Sequence, residues 1–189
     1  ILHPYGNKAP NVYLLHGSMT GHEMNSLYNH PKVKAMVSFT KGEGFGRPLM
    51  EFGITGKPII ASGWSGQLDF LKPEHCVLLP GQLTKVHGSA ADHFIIKDSQ
   101  WFTVNYQYAS QVIKDCEKNY KKYIANSRKQ PQYIKDNFTM QHMTTKFDKI
   151  LDTHVKVPEA VGLKLPKLKK VGSAPAGQIK LPKLKKVEV

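Results

Sequence analysis

Residues 38–51 read SFTKGEGFGRPLME. The apolar run Ala35-Met36-Val37 leads into this stretch and predicts a short buried strand. A loop with glycines at Gly42, Gly44 and Gly46 comes after it. Pro48 is next, a residue favoured at the first position of a helix. Leu49, Met50, Phe52 and Ile54 then fall on a short helix that Gly56 can end. A strand therefore feeds a glycine loop, and the loop feeds a helix N-terminus. Such a junction offers unpaired backbone N–H groups and the positive end of a helix dipole to an anion, most naturally a phosphate. Glu43 and Glu51 bracket it. Carboxylates repel a phosphate, so these two should contact something else, such as sugar hydroxyls.

Outward from this junction, strand and helix patterns alternate. Residues 11–15, NVYLL, read as a buried strand that ends at His16-Gly17-Ser18-Met19. Thr20 and Glu23 match a capping box and predict a helix to about Tyr28, with Met24, Leu27 and Tyr28 inward. Residues 34–39 are the next strand. Residues 57–62, KPIIAS, form another, apolar throughout as in a parallel sheet covered on both faces. Gly63-Trp64-Ser65-Gly66 lies at its C-terminal end, where open α/β sheets bind ligands. Ser65 and Gly66 are therefore second-tier site candidates, and Trp64 reads best as surface packing. Residues 67–71 make one helical turn, and residues 76–79, CVLL, a fourth strand.

Residues 80–98 are polar and give no clear pattern; His87 and His93 within them lack metal-ligand spacing. Helical periodicity begins at Asn105, with Tyr108, Val112, Cys116 and Tyr120 on one stripe. It continues through residues 121–138 with a break near Gln130-Pro131. Thr139 caps a last helix carrying Met143, Phe147, Ile150 and Leu151. The fold class these patterns imply is α/β, a Rossmann-like parallel sheet with helices on both faces, over residues 1–157.

Residues 158–189 are different material. LKLPKLKKV at 163–171 returns as IKLPKLKKV at 179–187, a nine-residue repeat at a spacing of 16. The GSAPAGQ stretch between the copies has linker composition. Such a tail buries too little apolar surface to fold alone, and its duplication points to a short motif presented twice to a multivalent, acidic protein partner. It holds eight lysines against two glutamates, a net of +6 of the chain's +13. The rest of the charge is scattered and forms no basic stripe interleaved with aromatics, which argues against nucleic acid as the main partner. No apolar run approaches the roughly 18 residues of a membrane span. Cys76 and Cys116 form no disulfide or metal pattern, and no secretory signal precedes them. A cytoplasmic protein is expected. The start, ILHPYGNKAP, has no initiator Met, so the chain reads as a fragment or a processed product.

The string E-G-F-G-x-P-x-x-E, with its E-x₇-E spacing and G-K-P-I-I-A-S after it, resembles the nucleotide-sugar half of the retaining GT-B glycosyltransferases. These are the group 1 family, related to sucrose synthase and bacterial glycogen synthase. The resemblance runs from about residue 11 to about residue 151, and FTMQHMTTKFDKIL resembles the helix that closes these enzymes, with Met where Trp is usual. It implies that backbone at Gly44, Phe45 and Gly46 contacts donor sugar and diphosphate, supported by Pro48-Leu49. It implies that Glu43, the catalytic-site carboxylate, binds donor-sugar hydroxyls, and that Glu51 binds the ribose. Backbone at Gly17 to Met19 would lie beside the nucleobase, or be a plain strand-end turn. Arg47, in place of a usual apolar residue, and Lys41 are near enough to add charge. The implied reaction is hexosyl transfer from a nucleotide sugar with retention, without metal or other cofactor. The implied partners are the nucleotide sugar and the N-terminal acceptor-binding domain of the GT-B fold, whose residues this chain does not match. The alternative expectation is a structural or interaction module, a transferase-derived domain tethered through the lysine-rich tail.

Overall fold

The structure is a computed structural model that describes residues 10–155; the duplicated motif at 163–171 and 179–187 lies outside the described residues. The chain divides into two units, Ile1–Lys149 and Ile150–Val189, and every described strand belongs to the first.

The centre is a parallel sheet of three short strands, β1 (Met36–Ser38), β2 (Ile59–Ser62) and β3 (Val77–Leu79), in the order β1-β2-β3. Every residue of β2 is buried, as expected for a middle strand covered on both faces. Side chains alternate between those faces. Ile59 and Ala61 pack with Leu49, Phe52, Phe70 and Leu71 into one core. Ile60 packs on the other side with Leu79, Phe102, Val104, Ala109, Val112 and Cys116. The first core holds α2 (Arg47–Gly53), the crossover from β1 to β2. The second holds α3 (Tyr106–Lys118). The protein is thus α/β, with helices on both faces of a small parallel sheet.

The remaining helices are α1 (Gly21–Asn29), α4 (Tyr120–Ser127), α5 (Gln130–Asn137) and α6 (Met140–His154). Thr20 caps α1 through the full capping box: its hydroxyl accepts from Glu23 N, and its own N–H donates to Glu23 Oε2 at 2.7 Å. Thr139 Oγ1 accepts from His142 N at 3.2 Å at the start of α6. Ser127 and Gln130 tie the α4–α5 corner to the core. Ser127 Oγ donates to Gly56 O at 2.7 Å, and Gln130 Nε2 donates to Phe70 O. The break between α4 and α5 falls just ahead of the predicted Gln130-Pro131.

The structure departs from the sequence reading in several places. Residues 11–15 form no strand, and Val12, Tyr13, Leu14 and Leu15 are between 69% and 87% exposed. Apolar content alone does not make a strand; it also needs a neighbour's backbone on its edge and cover on its faces, and no described strand pairs with this run. Residues 81–85, within the stretch that gives no clear pattern, are β4 (Gly81–Lys85), which pairs antiparallel with β5 (Gln100–Val104). The signal is Trp101-Phe102-Thr103-Val104, aromatic and β-branched with Phe102 and Val104 buried in alternation. On α3 the buried position is Ala109; Tyr108 is exposed because the stripe starts one residue later than the sequence suggests. The last helix forms as expected, and its Met143, Phe147, Ile150 and Leu151 are exposed. The fourth predicted strand is shorter than expected, starting at Val77, and the third starts at Ile59.

Candidate functional site

Two loops leave the C-terminal ends of β1 and β2 and press together. The first carries Thr40 to Gly46, the second Gly63 to Gln67. Ser65 Oγ accepts from Glu43 N at 3.1 Å and donates to Glu43 O at 2.6 Å. Gly66 N donates to the same carbonyl at 3.0 Å. A Cβ added at Gly66 would overlap Gly44 O and lie 2.9 Å from Glu43 O, so only glycine lets the loops approach this closely. Ser65 sits at φ 77, ψ −162, a region almost reserved for glycine, and a non-glycine residue held there stores strain. Behind the contact, Gln67 is fully buried; its Nε2 donates to Ser62 O at 2.9 Å and Ser62 Oγ at 3.0 Å. Thr40 Oγ1 lies 3.2 Å from Ser62 Oγ and completes the brace. Gln67 Oε1 is buried with no partner among the described residues.

Gly46 caps α2 in the left-handed conformation, φ 84, where an added Cβ would press on Gln67 and Leu49. Its carbonyl accepts from Leu49 N at 3.0 Å and Met50 N at 3.1 Å. The Leu49 amide is thus engaged within the chain and its side chain is in the core. The amides of Gly44, Phe45 and Gly46 make no hydrogen bond within the described residues. The Phe45 ring packs on Phe70, centroids 5.1 Å apart, and on Phe138, which pins the tip of the loop. The Glu43 side chain, half-buried, makes no ion pair among the described residues.

Lys41 turns to the hairpin instead of the loop. Its Nζ donates to Thr103 Oγ1 at 3.2 Å and Tyr106 OH at 3.4 Å, and lies 5.4 Å from the Trp101 ring centre. Phe102 N donates to Lys41 O at 3.0 Å, so the hairpin also grips the loop by its backbone. Trp64 stacks on Phe102 with centroids 5.7 Å apart, the packing role expected of it.

Glu51 faces a cavity of about 410 Å³ lined by Met19, Met24, Asn25, Tyr28, Asn29 and Arg47, among others. That volume is within the usual range of small-molecule sites. Arg47 Nε donates to Glu51 Oε1 at 2.6 Å. Burial, and then the Glu51 carboxylate, raise the Tyr28 hydroxyl above its ordinary value. Gly17, φ 133, is exposed and is not part of this lining, whereas Met19 is. The sequence reading missed Gln67, Ser62 and Thr40, and the amides Asn25 and Asn29. The first three carry no pattern of their own. Asn25 and Asn29 are four apart on α1 and share a face with the half-buried Tyr28, a signal available at helical spacing.

The cysteines are not candidates for nucleophilic work: burial, then Glu74, pushes the Cys76 thiol up to about 12, and burial raises Cys116. Among the described residues no group of three or more His, Cys, Asp or Glu is placed to hold a metal ion. No described helix is long and apolar enough to cross a membrane. Comparison with protein-family models, with curated protein sequences and with solved structures finds no match for this chain.

Proposed function

We propose that this chain is the donor-binding half of a Rossmann-like GT-B glycosyltransferase that moves a sugar from a nucleotide sugar with retention. The observation that carries the reading is a loop clamp at the C-terminal end of a parallel sheet that leads through α2 to a cavity between α1 and α2. Glu43 stands on the clamp, Glu51 lines the cavity, and the open amides of Gly44, Phe45 and Gly46 come between them in the chain. In open α/β sheets that end is where ligands bind. Departure of a nucleoside diphosphate builds charge on its terminal phosphate. Amides held in place beforehand stabilise such charge without reorganising. Glu43 would hold donor-sugar hydroxyls. Glu51, with the amide side chains of Asn25 and Asn29 nearby, would hold the ribose.

The test is calorimetric titration of the full chain with uridine, adenosine and guanosine diphosphates. One of them should bind without Mg²⁺, and Glu51→Ala should weaken it by about 1.5–3 kcal/mol, the scale of hydrogen bonds to a charged group. Glu43→Ala should change that affinity less, because Glu43 faces the sugar. Equal affinity in wild type and Glu51→Ala, or an absolute need for Mg²⁺, rejects the assignment.

The duplicated motif supports a second reading, an interaction module that docks its two copies on a multivalent acidic partner. Sixteen residues of extended chain at 3.3–3.6 Å each span roughly 50–58 Å. Changing Leu165, Leu168, Leu181 and Leu184 to Ser with all lysines kept should abolish pull-down of such a partner at physiological salt. Undiminished retention would reduce the tail to a basic extension.

A further inference from the structure

The carboxylate that this reading gives to the ribose is already occupied. Arg47 and Glu51 are four apart on α2 and joined at 2.6 Å, with side chains 84% and 41% exposed. Both line the cavity. An exposed pair of this kind is worth about 0–1 kcal/mol. It also runs in the weaker direction along the helix, with the cation toward the N-terminus. The pair is therefore easily exchanged, and most favourably for a ligand that gives both ends a new partner.

Residues 38–51 hold two cations, Lys41 and Arg47. Lys41 is committed to Thr103, Tyr106 and Trp101 of the neighbouring hairpin and its flank. Arg47 is the exposed one, and it directly follows the Gly44–Gly46 amides in the chain. A guanidinium suits phosphate oxygens in a bidentate fork. A neutral nucleoside that took Glu51 through its ribose would leave Arg47 to water alone. A nucleoside diphosphate supplies the replacement.

We propose that Arg47 is a specificity latch. It holds Glu51 in the empty site, and it yields the carboxylate to a ribose more readily when phosphate arrives to take the guanidinium. The cavity thereby selects phosphorylated nucleosides over nucleosides. The inference rests on the nucleotide reading and deepens it.

The experiment titrates the full chain and its Arg47→Ala variant with uridine, adenosine and guanosine, with their diphosphates, and with inorganic pyrophosphate. Ligand-observed NMR extends the range to weak binding. The preferred diphosphate should lose about tenfold or more in Arg47→Ala, the scale of a charged hydrogen bond. The matching nucleoside should move the other way and gain up to about fivefold, the release of a surface pair. Opposite signs are the signature of a latch, since a merely structural role would move both ligands together. Equal loss for both, or no change in either, overturns the latch and leaves the nucleotide reading standing. Pyrophosphate binding as tightly as the diphosphate overturns it too, because the chain would then be reading charge alone. Absence of any nucleotide binding to the wild type removes the nucleotide reading, and the latch with it.

Discussion

The loop clamp and the α1–α2 cavity are built in opposite ways. On one, the Glu43–Gly44 backbone lies against Ser65 and Gly66 so closely that no side chain fits, and the buried Gln67 braces it from behind. On the other, α1 and α2 face each other across a cavity whose carboxylate is held by a single exposed ion pair. The first wall is a fixed backbone and the second an adjustable set of side chains. Placing amides in advance suits charge that develops during a reaction. Exchangeable side chains suit a ligand that must be admitted first. A stretch of fourteen residues contributes to both, because Gly46 separates the loop from the helix.

If that contrast is right, substitutions on the fixed wall should cost stability, and those on the adjustable wall should mainly cost ligand. The largest effect is expected from Gly66→Ala. Its methyl group meets backbone rather than a side chain that could move, so a loss of about 3 kcal/mol, the upper end of overpacking, should appear in the urea midpoint. A midpoint within error of wild type would show that the two loops are free to part.

Ser65 sharpens the same point. Ser65→Ala keeps the strained backbone and removes both bonds to Glu43, so about 2 kcal/mol should be lost. Ser65→Gly also loses the bonds but relieves the conformation, and strain at such positions is worth about 1–3 kcal/mol. Glycine should therefore be clearly the better tolerated of the two by thermal melting. The reverse order would place the strain elsewhere.

On the adjustable side, Thr20→Ala should cost about 1 kcal/mol through α1, the element that backs the cavity. The cap is also pH-dependent. The Thr20 N–H, and then its hydroxyl, hold the Glu23 carboxyl below its ordinary value of 4.5. A depressed carboxyl stabilises the fold above its unfolded value, and the contribution is lost as pH falls through the folded one. Wild type should therefore lose α1 amide-exchange protection on acidification below about pH 4.5, and Glu23→Gln should flatten that response. The smallest stability effect belongs to Arg47→Ala, at most about 1 kcal/mol, although its effect on ligands is expected to be large. Substantial unfolding of that variant would move Arg47 to the structural side of the comparison.

Much of the fixed wall was legible in residue order. Gly66 marks a close approach and Gly46 a left-handed cap, and Pro48 marks the first turn of α2. Thr20 and Glu23 announced their helix because a capping box is a local device, complete within four residues. What joins distant residues was not legible. The grip of Ser65 on Glu43 spans 22 positions and that of Lys41 on Thr103 spans 62, and neither leaves a mark on the residues between.

The sequence by itself determined the α/β class, the strand–loop–helix junction and its two carboxylates, because period, glycine conformation and helix caps are set by neighbours in the chain. Tertiary structure decided which apolar runs became sheet. Residues 11–15, NVYLL, and residues 58–61, PIIA, read alike, yet the first is exposed and the second is the buried middle strand. The difference lies in their surroundings. Ile60 and Ala61 have a ladder on each edge and β2 has a packed core on each face, whereas residues 11–15 have no described strand beside them. A strand's hydrogen bonds and most of its burial come from residues far away in sequence, so its own composition cannot supply them.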